Sequence, residues 1–380
     1  MKKLSIGIDC HARINVIGLA FDDMKPPVFH GKASADLNRT VDAIRKILKK
    51  YVLKKEDVII CYEAGPTGFV LARRLIKLGF ECIVVAPSLI PTKSGEKKKT
   101  DRRDARKLAG YLRSNDLRAV HIPDVEDEVI RDVCRGRTDA AQELARTKKQ
   151  LLSFLLRNGY HYTGKANWTE AHMRYLRELV LAHPSQKLIL EEYIQRIDAL
   201  EQQIRRIEDQ MRELLQNWQR KPLVEALMGM RGFQLVAAMV TVSEIGCFSR
   251  FKHPKQLMAY LGLVPSEESS GDKRRMGSIT KCGNGHARWM LIESAGCYRL
   301  PPKISKALSV RQEGLRREVL AVSWHAQNRL NKRWFKLSLR GLHFNKIRTA
   351  IARELASYIW DIAMIIEKQQ VPCASSAVEA

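Results

Sequence analysis

The sequence predicts an α/β domain at the N-terminus, followed by a helical coiled-coil region and then a mainly helical domain. Short apolar runs typical of strands alternate with helical patterns up to about residue 122, and helical periodicity prevails from about residue 125. The length of 380 residues exceeds the roughly 250 to 300 at which one hydrophobic core usually stops growing, so several domains are expected. The predicted regions are 1–124 (α/β), 125–220 (helical, coiled coil), 221–370 (mainly helical) and 371–380 (disordered tail).

The elements of the first region follow the order β-β-β-α-β-α-β, and an acid-bearing helix comes after them. The predicted strands are "LSIGID", "VIGLAF", "PVFHGKAS", "DVIICYE" and "FECIVVAP". The predicted helices are "ADLNRTVDAIRKILKKY", "TGFVLARRLIKLG" and a third from about Asp101 to Arg113, and a short strand is expected at "LRAVHIP". This order of elements predicts a ribonuclease H-like fold.

Four carboxylates stand at the ends of these predicted elements. Asp9 ends the first strand, Glu63 follows the buried strand, and Asp101 and Asp104 begin the acid-bearing helix. Strand ends can meet at one edge of a sheet, and residues three apart share a helix face, so the four acids can surround two divalent ions. Their oxygen atoms suit Mg²⁺ or Mn²⁺, which can stabilise a phosphoryl transfer. The alternative for each acid is a turn former or a helix N-terminal residue.

The charge balance favours nucleic acid as the partner. Lys and Arg number 66 against 41 Asp and Glu, which gives a net charge of +25. Basic residues also surround the acids of "KKKTDRRDARKLAGYLR", namely Lys97, Lys98, Lys99, Arg102 and Arg103. The sequence contains no apolar run of about 18 residues and no signal-peptide core, so we expect a cytoplasmic protein without a membrane partner.

The middle region contains a coiled-coil pattern over about four heptads. Its apolar positions are Leu190, Ile194, Ile197, Ile204, Ile207, Met211 and Leu214. Heptads do not identify the partner helix, so a hairpin within the chain and a coiled coil between chains both stay open. The second interpretation predicts a homo-oligomer, a dimer or a tetramer. Pro222 is predicted to end this helix.

A polar, basic and glycine-rich stretch, "SEESSGDKRRMGSITKCGNGHARWML", precedes an apolar helix in the third region. Gly271 gives the backbone freedom that a close approach of phosphate requires, and the nearby cations can neutralise phosphate charge. These cations are Lys273, Arg274, Arg275, Lys281 and Arg288. A serine in this setting can attack a phosphodiester. Composition alone favours a simpler interpretation, a solvated loop that binds phosphate and whose serines form turns.

Two sets of motifs resemble one known family. "IGIDCHARINVIGLAF", "YEAGPTGFVLARRL" and "TDRRDARKLA" resemble the RuvC-like domain of the DEDD transposases of bacterial insertion sequences, a family of bridge-RNA-guided recombinases. The stretch from "FSRFKHPKQLMAYLGLVP" to "GHARWMLIESA" is similar to the serine-containing transposase domain of that family. The resemblance implies that Asp9, Glu63, Asp101 and Asp104 bind metal and that Ser270 is a nucleophile. It also implies DNA and a structured guide RNA as partners.

Two competing interpretations are carried beside a recombinase. One is a RuvC-type junction nuclease that uses the four acids and water, without a covalent intermediate. The other is a non-catalytic nucleic-acid-binding descendant of a transposase. A covalent protein–DNA adduct separates the recombinase from both, because only a serine nucleophile forms one.

Overall fold

The computed structural model describes residues 2–23, 25–91, 100–267 and 275–368. These residues form two compact units, and the boundary in the chain falls between Pro123 and Asp124. The predicted boundary at 220/221 stays a prediction, and the predicted disordered tail at 371–380 lies outside the described residues.

The first unit is a five-stranded sheet with helices on both faces. Its strands are β1 (Leu4–Cys10), β2 (Ile14–Phe21), β3 (Val28–Ser34), β4 (Val58–Glu63) and β5 (Glu81–Val85). Its helices are α1 (Leu37–Lys50), α2 (Val70–Lys77) and α3 (Asp101–Arg113). Alternate residues of β1 face opposite sides of the sheet, so Ile6 and Ile8 pack towards the residues of α1 and α2 while Gly7 faces α3.

The strands lie in the order β3-β2-β1-β4-β5. β1 pairs antiparallel with β2, and β2 pairs antiparallel with β3, whereas β1, β4 and β5 are parallel. The predicted succession of strands and helices is therefore confirmed, and the arrangement is consistent with a ribonuclease H-like domain. The short strand expected at "LRAVHIP" is wrong, because the segment meets β5 only at an isolated bridge between Ala119 and Val85.

Two glycines allow α3 to lie directly on the sheet. A Cβ atom at Gly7 would be 2.4 Å from the amide nitrogen of Ala109, and one at Gly18 would be 2.4 Å from the carbonyl oxygen of Ala105. Any side chain at either position would overlap the helix backbone. The close contact with β1 and β2 fixes the course of α3 and brings its first turn beside the carboxyl end of β1.

The second unit begins with two long helices. They are α4 (Val125–Arg157) and α6 (Pro184–Asn217), and α5 (Glu170–Glu178) lies between them in the chain. α4 and α6 pack side by side and antiparallel, and ion pairs join them at three levels. The pairs are Arg137–Glu208 and Lys148–Glu201, each at 2.7 Å, and Arg196–Glu143.

α4 and α6 form the hairpin within the chain, which is one of the two coiled-coil interpretations. The heptad residues Leu190, Ile194, Ile197 and Met211 are buried. A coiled coil between chains stays a prediction. Pro222 does not end α6, which stops at Asn217; it lies in the first turn of the next helix, where proline costs no hydrogen bond.

The remaining helices of the second unit surround one large apolar core, which includes residues of α4, α6, α8, α10, α12 and α13. The helices are α7 (Lys221–Met228), α8 (Leu235–Ile245), α9 (Pro254–Tyr260), α10 (Gly285–Ala295), α11 (Lys306–Gln312), α12 (Arg317–Leu339) and α13 (Phe344–Glu367). Between α9 and α10 lies a short antiparallel hairpin of β6 (Pro265–Glu267) and β7 (Met276–Ile279). Across the described ranges, every helix is too short or too polar to cross a bilayer.

Candidate active site

Asp9 lies next to the last residue of β1, at the edge of the sheet where the acid-bearing helix begins. Its side chain is mostly covered. Burial raises the pKa of Asp9, the neighbouring His11 lowers it in part, and the negative charges of Asp101 and Asp104 raise it again. Asp101 and Asp104 raise the pKa of Asp9 because a nearby negative charge opposes its ionisation. Three of the four predicted metal ligands therefore lie near one another.

A histidine links the end of β1 to the first turn of α3. His11 lies on the turn after β1, where its backbone N–H donates to the carbonyl oxygen of Ile14. Its Nε2 atom is 3.2 Å from Oδ2 of Asp9 and 3.7 Å from Oδ1 of Asp101. The predicted proximity of Asp9 and Asp101 is thus present in the structure.

Glu63 ends β4, the parallel neighbour of β1. Ile8 pairs with Tyr62 in the sheet, so Asp9 and Glu63 are the next residues on the two strands. Gly7 and Cys61 form the pair two residues before Asp9 and Glu63. Both lie under α3. Side chains alternate along a strand, and Asp9 and Glu63 therefore point to the α3 side as well. The two strand ends and the first turn of α3 bring the four acids to one corner of the unit.

The donor atoms of this corner fit a divalent cation. One ligand atom each from Asp9, His11 and Asp101 lies within 4.8 Å of the others. Carboxylate oxygens are the ligands that Mg²⁺ and Mn²⁺ prefer. Cys10 is next to Asp9 in the chain, but burial raises the pKa of its thiol to about 12, so it remains a neutral packing residue.

His11 is the member of this corner that the sequence interpretation missed. It stands two residues after Asp9 in "GIDCH", which was the available signal. The chain turns back immediately after β1, and this turn, rather than the alternation of a strand, brings the imidazole beside the Asp9 carboxylate.

The predicted serine and part of the predicted basic set cannot be placed. Ser270, Lys273 and Arg274 lie outside the described residues, as do Lys97, Lys98 and Lys99.

Among the described members of the predicted basic set, Arg102 stacks on the ring of Phe29 at 4.8 Å, and Arg103 is an exposed residue of the first turn of α3. Arg275 and Lys281 are exposed. Arg288 donates to the backbone carbonyl oxygens of Leu261 and Cys282, at 2.9 and 3.3 Å. Phosphate binding by these residues stays a prediction.

The chain on either side of residues 268–274 is held firmly. Backbone hydrogen bonds join Lys281 to Gly262 at 3.1 Å and Asn284 to Tyr260 at 3.1 Å. A Cβ atom at Gly262, whose φ is +62°, would be 2.2 Å from the carbonyl oxygen of Cys282. The backbone of the described residues that flank the serine motif is therefore held in one conformation.

Below this base lies Glu244 of α8, whose side chain is fully buried. Arg135 of α4 donates to both carboxylate oxygens, at 2.7 and 3.0 Å. Asn284 donates at 2.8 Å, and Nδ1 of His286 lies 3.1 Å away. Burial alone raises the pKa of Glu244, but the hydrogen bonds from His286, Arg135 and Asn284 lower it to about 2. The carboxylate is charged at neutral pH and joins α4 and α8 to the start of α10.

Comparisons with known proteins match both units. Residues 6–159 match the DEDD transposase family of IS110, described as "Transposase". Residues 224–307, which include Glu244, its partners Asn284 and His286, and the serine motif, match "Transposase IS116/IS110/IS902 family". A mixed α/β unit with a corner of acids, together with this second region, defines a DNA transposase of the DEDD class.

Relatives that match over most of the chain agree with this class. The chain is 41% identical over 360 residues to "Putative transposase y4qE" of Sinorhizobium fredii (strain NBRC 101917 / NGR234), which covers 94% of this chain and 88% of that protein. It is 28% identical over 343 residues to "Transposase for insertion sequence element IS1533" of Leptospira borgpetersenii, covering 88% and 97%. It is 22% identical to "Transposase for insertion sequence element IS1111A" of Coxiella burnetii over 73% of this chain and 69% of that protein. The chain belongs to the IS110 family of insertion-sequence transposases.

Proposed function

We propose that this transposase cuts and exchanges DNA strands with a metal site of four acids and a serine nucleophile. Asp9, Glu63, Asp101 and Asp104 would hold the divalent ion, Mg²⁺ or Mn²⁺, which when bound supplies charge stabilisation at the reacting phosphate. The observation that carries the proposal is the approach of Asp9 and Asp101 to the same imidazole nitrogen, at 3.2 and 3.7 Å, because it brings acids of two elements to one point.

The nucleophile in this proposal is Ser270. Its hydroxyl oxygen attacks a DNA phosphodiester, a P–O bond forms to the serine, and the displaced DNA oxygen leaves as a hydroxyl with the proton. A hydroxyl of the second strand then attacks the phosphoserine link and releases the serine. Each step exchanges one phosphoester bond for another, so no high-energy cofactor is needed. The fixed backbone of the described residues on either side of the serine motif supports the proposal, since a reacting group gains precision from a fixed support.

The partners of this reaction are DNA and, in this proposal, a structured guide RNA from the same element. The net charge of +25 supports binding of a polyanion, and guide RNA follows from the family resemblance. Sequencing of the nucleic acid that co-purifies with the full chain tests this part. Recovery of one structured RNA species agrees with it, whereas recovery of DNA alone contradicts it.

The covalent step is tested with a nicked substrate DNA that traps the intermediate. We expect a denaturation-resistant adduct with the wild-type chain, mapped by mass spectrometry to residues 266–273, and none with Ser270→Ala. Ser269→Ala is the matched control and should form the adduct normally. An adduct that persists in Ser270→Ala and vanishes in Ser269→Ala would move the nucleophile by one residue.

The same substrate separates the competing functions. A junction nuclease that uses only the acids and water predicts cutting by Ser270→Ala and no adduct with either protein. A non-catalytic nucleic-acid-binding protein predicts binding without cutting by any variant.

A further inference from the structure

We propose that His11 is a nitrogen ligand of the metal site and that it makes the site favour Mn²⁺ over Mg²⁺. This inference rests on the proposed metal site and concerns its chemistry. Four oxygen ligands alone would suit Mg²⁺, whereas an imidazole ligand favours a first-row transition ion.

The distances around His11 agree with one shared ion. Two ligand atoms about 2.1 Å from an octahedral ion are about 3.0 Å apart when adjacent and about 4.2 Å apart when opposite. The Nε2 atom of His11 lies 3.2 Å from Oδ2 of Asp9 and 3.7 Å from Oδ1 of Asp101, and both distances fall in this range. The ligand atoms of Asp9, His11 and Asp101 lie within 4.8 Å of one another, so small rotations of these exposed or half-buried side chains bring all three to one ion.

The backbone aims the ring at the site. The N–H of His11 donates to the carbonyl oxygen of Ile14, and this bond closes the turn between β1 and β2. Asp9 still pairs with Val16 inside the sheet, so the imidazole and the carboxylate are attached to one rigid hairpin. A ligand held on such a hairpin loses little freedom when the ion binds.

The same nitrogen has a second possible role, which the experiment must separate. In the described arrangement, Nε2 can donate its proton to Oδ2 of Asp9 as an ordinary hydrogen bond. A neutral imidazole carries its one proton on either ring nitrogen, so binding of an ion at Nε2 would use the tautomer with the proton on Nδ1, which leaves the Nε2 lone pair free for the ion. If the hydrogen bond were the whole role of His11, glutamine would replace it well, because its amide N–H donates from a similar reach.

The test uses the purified full chain, stripped of metal, with Mn²⁺ as the probe at one fixed pH. Electron spin echo modulation from a ¹⁴N nucleus reports nitrogen bound to Mn²⁺, and the signal of free Mn²⁺ gives its affinity. For the wild-type chain we expect the ¹⁴N modulation. For His11→Gln we expect the modulation to vanish and Mn²⁺ binding to weaken about tenfold. Competition by Mg²⁺ should then become stronger relative to Mn²⁺.

Two further variants make every outcome decisive. His161→Gln, an exposed histidine of the second unit, is the matched control and should behave as wild type. Asp9→Asn tests the metal site itself, and unchanged Mn²⁺ binding in that variant would refute the proposed site together with this inference. Loss of binding in Asp9→Asn, with the ¹⁴N modulation and the affinity unchanged in His11→Gln, would refute only the role of His11. Tighter Mn²⁺ binding in His11→Gln would refute it too, since the imidazole would then be competing with the ion.

Discussion

Glu244→Gln should strongly destabilise the second unit. The substitution keeps the shape of the side chain and removes a charge that Arg135 and Arg131 both approach, at 2.7 and 3.6 Å. The pKa of Glu244 falls from 4.5 to about 2 in the folded chain, which corresponds to roughly 3 kcal/mol in favour of the charged form. The removal of one partner from a fully buried ion pair costs about 3 to 5 kcal/mol, and the half-exposed side chain of Arg135 places this pair near the lower end of that range.

Tryptophan fluorescence reports the unfolding of the second unit alone. All six tryptophans of the chain belong to the second unit, at positions 168, 218, 289, 324, 334 and 360. With a slope of about 5 kcal/mol/M in guanidinium chloride, a loss of about 3 kcal/mol lowers the unfolding midpoint by about 0.6 M. Glu225→Gln is the control, because the Glu225 side chain is about half exposed and its ion pair with Lys221 is long, at 3.9 Å. Its midpoint should stay close to that of the wild type.

The pH dependence supplies a second check with a definite sign. A carboxylate with a lowered folded pKa stabilises the protein above its unfolded pKa, and this stabilisation is lost as the pH falls from about 4.5 to about 2. The difference in unfolding midpoint between the wild type and Glu244→Gln should therefore become smaller as the pH falls over that interval. A midpoint equal to that of the wild type at pH 7, or a gap that stays constant down to pH 2, would refute this account of the network.

Three other predictions concern the active site and assembly. Asp104→Asn should abolish strand exchange in Mg²⁺ and leave DNA binding largely intact in a mobility-shift assay, because it removes a metal ligand and no cation. Gly18→Ala should destabilise the first unit by about 1 to 3 kcal/mol in denaturant unfolding followed by circular dichroism, whereas Gly31→Ala, which has open space at its Cβ position, should not. The exposed face of the helix that carries the heptads should support self-association, and a strictly monomeric species by light scattering with nucleic acid bound would contradict this.

The sequence predicted the first unit well because local patterns determine it. The bounds of α3 follow from an acidic first turn and from apolar residues at helical spacing, and the structure places them at Asp101 and Arg113 as expected. The succession of strands along the chain follows from short apolar runs with clear breaks. Pro222 was misplaced because a proline is equally compatible with the end of one helix and the first turn of the next.

The Glu244 network was beyond sequence reasoning because its partners are distant in the chain. Arg135 and His286 lie 109 and 42 residues from Glu244, and no periodicity connects them. The one available signal was a single carboxylate in the otherwise uncharged helix "LVAAMVTVSEI". Such an acid has to find cations when its helix is buried, but the sequence does not show which ones.

The contact of α3 with Gly7 and Gly18 also limits how the active site can change. Main-chain atoms of the helix and the sheet touch there, and main-chain atoms have no alternative rotamers through which to adjust. At the C-terminal end of α3, Arg113 donates to the carbonyl oxygens of Phe21, Asp23 and Lys25, so the helix is fixed at its middle and at this end. Change at this corner must therefore come from exchange of side chains at its rim, where His11 and Asp101 are exposed, and not from a shift of the helix.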